Sequence, residues 1–73
     1  MQDTKQILLN KLALKIKKRR LELGLSQEKL AELCNFDRTY ISLLERAKRN
    51  PTYINLEKLC IGLDIELNKL LEN

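Results

Sequence analysis

Apolar residues recur along this chain at helical spacing in five successive stretches. In the first, about residues 4–23, Leu9, Leu12, Ala13, Ile16 and Leu23 form one stripe, and Gly24 marks its end. Arg20 falls in the middle of that stripe. An unpaired arginine facing a core is very costly, so Arg20 requires a partner. Lys15, Lys17, Lys18 and Arg19 lie mostly on the flanks.

The second stretch, "LSQEKLAELC", starts at Ser26 as N-cap and places Leu30, Ala31, Leu33 and Cys34 on its apolar side. Ala31 is small enough to let another helix approach closely. Asn35 ends the helix, because Asn tolerates the left-handed conformation of such turns. Asp37 is the natural N-cap of a third helix, about residues 38–46. There Ile41 and Leu44 point inward with Glu45 beside Ile41, while Thr39, Ser42, Leu43 and Arg46 point the opposite way. Asn50-Pro51-Thr52 is a turn. Leu56, Leu59, Cys60 and Leu63 predict a fourth helix over about 53–63, which Asp64 breaks. Leu67, Leu70 and Leu71 predict a short fifth over about 66–72. With two Gly and one Pro in 73 residues, the chain predicts one all-α domain over 1–73, a compact five-helix bundle.

Charge changes the picture from fold to partner. Residues 1–50 carry twelve Lys and Arg against six Asp and Glu; residues 51–73 carry two against four. A basic front and an acidic back point to an anionic partner at one end, nucleic acid before an acidic membrane surface. No apolar run is long enough to span a bilayer, and "MQDTKQ" lacks the pattern of a signal peptide. Cys34 and Cys60 read as reduced core thiols of a cytosolic protein. The chain has no His and no closely spaced Cys pair, so no metal site and no cofactor is expected. It also lacks a nucleophile–base spacing and a phosphate-cradling Gly loop, which argues against an enzyme.

Two helices joined by a tight turn, the second outwardly polar, describe a helix-turn-helix formed by the second and third helices. The segment "RRLELGLSQEKLAELCNFDRTYISLLERAKRNPTYINLEKLCIGLDI" resembles the Cro/repressor-type helix-turn-helix family over nearly the whole chain. "DRTYIS" followed by "ER" and "RNPT" looks most like the controller proteins of bacterial restriction–modification systems. The resemblance implies a five-helix fold of the phage-repressor type. It implies a cytoplasmic bacterial transcriptional regulator that binds double-stranded DNA as a homodimer on a near-palindromic operator. Three positions depart from the family pattern: Asn35 and Asp64 stand where Gly is usual, and Glu66 where Ser, Thr or Asp caps the last helix. The resemblance also gives Arg20 its partner, Glu45 of the recognition helix, in a bidentate pair locking the first helix to the third.

Gln27 opens the second helix, where free amides favour a phosphate; in the family a Gln here clamps the DNA backbone. Arg38, Thr39 and Ser42 are candidates for base or backbone bonds on the recognition helix. Tyr40 suits a phosphate bond through its hydroxyl, or packs half-buried on the second helix. Leu43 is either an ordinary exposed leucine or a partner for a thymine methyl. Arg46, Lys48, Arg49 and Asn50 follow and would meet the backbone, or in Arg46's case a base.

Leu56, Leu63, Ile65 and Leu67 exceed what so small a protomer should bury. They belong either to its core or to a two-fold interface, and the resemblance favours the interface for Ile65 and Leu67. Glu28 and Glu32 lie one turn apart on the second helix. They are ordinary surface acids or, as at matching positions of phage-type repressors that activate, a patch for the polymerase sigma subunit. No sensor domain fits in this length, so no small-molecule ligand is expected. An antitoxin or a phage-type repressor of the same fold is the alternative reading.

Overall fold

The computed structural model of the protein describes residues 3–72. They form five helices and, among the described residues, no strand. These are α1 (Thr4–Glu22), α2 (Gln27–Cys34), α3 (Arg38–Glu45), α4 (Tyr53–Gly62) and α5 (Leu67–Leu70). α2 packs on α3 and α4, α1 packs on α3, and α5 returns onto α4. The core is built from Ile16, Leu30, Ile41, Leu44, Leu59 and Leu63, with Cys34 and Cys60 buried as free thiols among them.

Each of α1 to α4 ends in the same way. A residue with positive φ reverses the chain: Gly24 (70°), Asn35 (59°), Ala47 (59°) and Asp64 (50°). The next residue's amide then donates back across the last turn, as Phe36 N does to Ala31 O at 2.8 Å and Lys48 N to Leu43 O at 2.8 Å. Asn35 and Asp64 thus adopt the conformation for which Gly is usual, so the family's geometry survives both departures. Ser26 and Thr52 cap α2 and α4, accepting from Lys29 N at 3.0 Å and Asn55 N at 3.1 Å.

Some expectations fail locally. Leu23 is 37% exposed, because α1 stops at Glu22 and the chain is already turning toward Gly24. Asp37 occupies the cap position of α3, but its carboxylate makes no capping bond; its carbonyl accepts from Tyr40 N instead. Glu66, which departs from the usual capping residues, gives α5 no side-chain cap, and α5 is only four residues long instead of spanning about 66–72. Leu71 follows it and is 46% exposed. α2 and α4 also approach closely at Gly62, which the sequence did not mark. A Cβ at Gly62 would collide with Cys34 Sγ and press on Leu30.

α1 is pinned at its far end by an unexpected route. Arg19 reaches past the C-terminus of α4, donating from Nε to Leu63 O at 2.9 Å and from Nη2 to Asp64 O at 2.8 Å. These carbonyls have no partner within the helix, and the negative end of the helix dipole favours the cation. Lys15 does the same for the chain end, donating to Leu71 O and Glu72 O at 2.8 and 3.0 Å.

Candidate nucleic-acid interface

Only Asn35, Phe36 and Asp37 separate α2 from α3. The left-handed Asn35 turns the chain so that α3 crosses α2 and buries Ile41 and Leu44. The opposite side of α3 is left open. Arg38, Thr39, Ser42 and Arg46 line one shallow groove there, and Arg46 Nε folds back to Ser42 O at 3.4 Å. Leu43, read from the wheel as outward, is half-buried at the margin. Lys48, Arg49 and Asn50 follow as an exposed loop.

The inner side of α3 is fixed by charge. Arg20 donates from Nε to Glu45 Oε2 at 2.7 Å and from Nη2 to Glu45 Oε1 at 2.9 Å. Its Nη1 donates to Leu25 O at 2.8 Å, in the segment just before α2. The side chains are 10% and 3% exposed, so the pair is nearly out of water. The hydrogen bond to Glu45 raises the Arg20 pKa above its already high ordinary value, and the guanidinium stays charged. Gln27 joins them, donating from Nε2 to Glu45 Oε1 at 3.2 Å. One carboxylate therefore gathers α1, the start of α2 and the end of α3. Sequence reasoning placed Gln27 at a phosphate and missed this second bond.

Other residues escaped the sequence reading. The Tyr40 hydroxyl accepts from Asn55 Nδ2 at 3.1 Å. Its ring packs on Phe36, and Arg49 lies over it. Lys58 covers the Phe36 ring in turn, 5.0 Å from its centroid. On the first helix, Gln6 Nε2 donates to Ala47 O at 3.3 Å and braces the loop after α3. A Tyr–Asn bond across fifteen residues carries no local signature, and a carbonyl acceptor carries none at all.

The back of the molecule differs. Leu63, for which core and two-fold interface were both open, has no exposed surface and belongs to the core; as the C-cap of α4 it continues the inward stripe of Leu59. Leu56, Ile65 and Leu67 are half-buried and lean on the core. The residue that does stand out is Ile61, 77% exposed, in a shallow depression with Ile65, Leu67, Glu57 and Glu66. The helical run that placed Leu63 on the apolar stripe gave no sign of Ile61, which lies outside that stripe. Glu28 and Glu32 are both exposed on α2, with Lys29 Nζ 3.4 Å from Glu32. No helix among the described residues is long and apolar enough to cross a membrane.

Residues 16–70 match the helix-turn-helix family. The chain belongs to it. Over 57 residues this helix-turn-helix protein is 49% identical to control protein C.MunI of Mycoplasma sp, covering 77% of each chain. The crystal structure of the restriction–modification controller protein C.AhdI from Aeromonas hydrophila matches with a TM-score of 0.83 at 42% identity. That match covers 85% of this chain and 94% of the other. The controller protein C.Esp1396I, solved as a tetramer in complex with its natural 35 base-pair operator, matches with a TM-score of 0.79 at 44% identity. It covers 90% of this chain and 96% of that one. The resemblance drawn from "DRTYIS", "ER" and "RNPT" is therefore to the right family, whose members are DNA-binding regulators rather than enzymes.

Proposed function

We propose that this helix-turn-helix protein is a sequence-specific transcriptional regulator of the restriction–modification controller kind, acting in the bacterial cytoplasm. It binds a near-palindromic operator as a homodimer. The observation that carries the reading is the outer side of α3. Arg38, Thr39, Ser42 and Arg46 share it, on a helix whose inner side is anchored through Glu45. The size and chemistry suit the major groove, where Arg can bond guanine in bidentate fashion and Thr or Ser can meet base or phosphate. Gln27, Tyr40, Arg49 and Asn50 would hold the backbone, and Leu43 would meet the edge of a base.

Dimerisation would use the back of α4 and the α4–α5 turn, where Ile61 stands exposed between Ile65 and Leu67. Two such protomers put two α3 helices about one turn of DNA apart, roughly 10 bp centre to centre. The exposed Glu28 and Glu32 are available to the polymerase sigma subunit when the dimer sits beside a promoter. Glu28→Gln with Glu32→Gln should then retain operator binding and lose activation in vitro; activation that only follows occupancy would remove this role.

The test of the main reading is selection of duplexes from a randomised pool, followed by binding at several salt concentrations. Arg38→Ala should relax sequence preference by about 1–3 kcal/mol. Arg49→Ala should weaken binding to all duplexes and flatten the salt slope by about one unit. Failure of the wild-type chain to enrich any sequence would overturn the proposal.

A further inference from the structure

Tyr40 sits where three parts of the fold meet. Its ring packs on Phe36 with centroids 4.8 Å apart and planes tilted by 59°. The Arg49 guanidinium lies 5.7 Å above the ring centroid. Asn55, near the start of α4, donates from Nδ2 to the phenol oxygen at 3.1 Å. Asn55 is itself held in place, because its backbone amide donates to the Thr52 cap at 3.1 Å.

A phosphate oxygen of the DNA backbone can only accept hydrogen bonds, whereas a phenol can either donate or accept. Tyr40 therefore helps only if it offers its proton. A phenol oxygen that already accepts from an amide still has its proton to give, and accepting one bond strengthens the other.

We infer that Asn55 is a positioning residue for DNA-backbone binding: its amide N–H holds the Tyr40 hydroxyl as a donor toward a phosphate. The inference rests on the DNA-binding reading above. Asn55 acts through Tyr40 and need not touch DNA itself. The same ring carries Arg49 on its face, so one tyrosine organises both a directed proton and a nearby positive charge. Loss of Asn55 leaves the hydroxyl free to turn.

The experiment measures affinity for a duplex that the wild-type chain has selected from a randomised pool. Wild type is compared with Asn55→Asp, Asn55→Leu, Tyr40→Phe and the two double variants, each checked by thermal melting. The Asp oxygens only accept, so the phenol would turn inward and donate to them. Leu removes the donor without adding charge. Asn55→Asp and Tyr40→Phe should each weaken binding about tenfold, and Asn55→Leu by a smaller factor. In the Tyr40→Phe background, Asn55→Leu should add nothing, and Asn55→Asp only the salt-screened loss that a negative charge near DNA brings. Asn55 variants that bind like wild type, or that lose the same factor with and without the hydroxyl, would overturn the inference. If the wild-type chain selects no duplex, the DNA-binding reading fails first and this one with it.

Discussion

Arg19 and Arg20 are neighbours in sequence, yet they hold α1 to opposite parts of the molecule by different chemistry. Arg20 meets the Glu45 carboxylate in a nearly dry site and fixes α3. Arg19 meets the carbonyls of Leu63 and Asp64 at the end of α4, with Glu22 3.6 Å away on its own helix. The first is a pair of full charges out of water, where removing one leaves the other stranded. The second is a cation on partial charges at a helix end that water can also satisfy. The α3 end is therefore held all or none, and the α4 end by degrees.

Glu45→Ala should give the largest effect, a loss of about 3–5 kcal/mol, since Arg20 would stay buried without its carboxylate. An unchanged urea midpoint would abolish the contrast between the two arginines. Gly62→Ala comes next, at about 1–3 kcal/mol, because the new methyl meets Cys34 Sγ. Adding Cys34→Ala should recover part of that loss, and denaturation of the double variant measures how much. Arg19→Ala should cost about 1 kcal/mol, with water replacing the guanidinium at the carbonyls. A loss as large as that of Glu45→Ala would show that the back end is no looser than the front.

A further effect appears only at high pH. Burial pushes the Cys34 thiol from 9.0 up to about 11. A folded-state value raised in this way favours the neutral thiol in the native protein. Its contribution to stability is complete below about pH 9 and fades as pH rises toward 11. Urea midpoints should fall across that window, and less so in Cys34→Ala.

The two arginines also show what the sequence could convey. Arg20 was legible because a charge inside an apolar stripe demands an opposite charge, and the family resemblance named Glu45 as the group that supplies it. The helices, Ser26 and Asn35 were legible because propensity, capping and turn chemistry all agree there. Arg19 was not legible: its acceptors are main-chain carbonyls, which every residue has. Ala47 was missed for a related reason. Nothing in alanine announces a left-handed turn, yet φ is 59° because the Lys48 amide must reach Leu43. Core and interface stayed open for Leu63 because a helical run of leucines does not say which one lies under its neighbours.

The junction at Asn35–Asp37 has a consequence beyond the protomer. Three residues, one of them in a left-handed turn, join α2 to α3, and Glu45 ties α3 to α1 and the start of α2. If the proposed dimer holds its two α3 helices this firmly, any mismatch with two half-sites would pass to the duplex, which would have to bend or change its groove width at an energy set by its own sequence. Selectivity would then extend to base steps that no side chain reaches, such as the flexible pyrimidine–purine steps between the half-sites. Replacing those central steps with a stiff A-tract should weaken binding while leaving every direct bond intact.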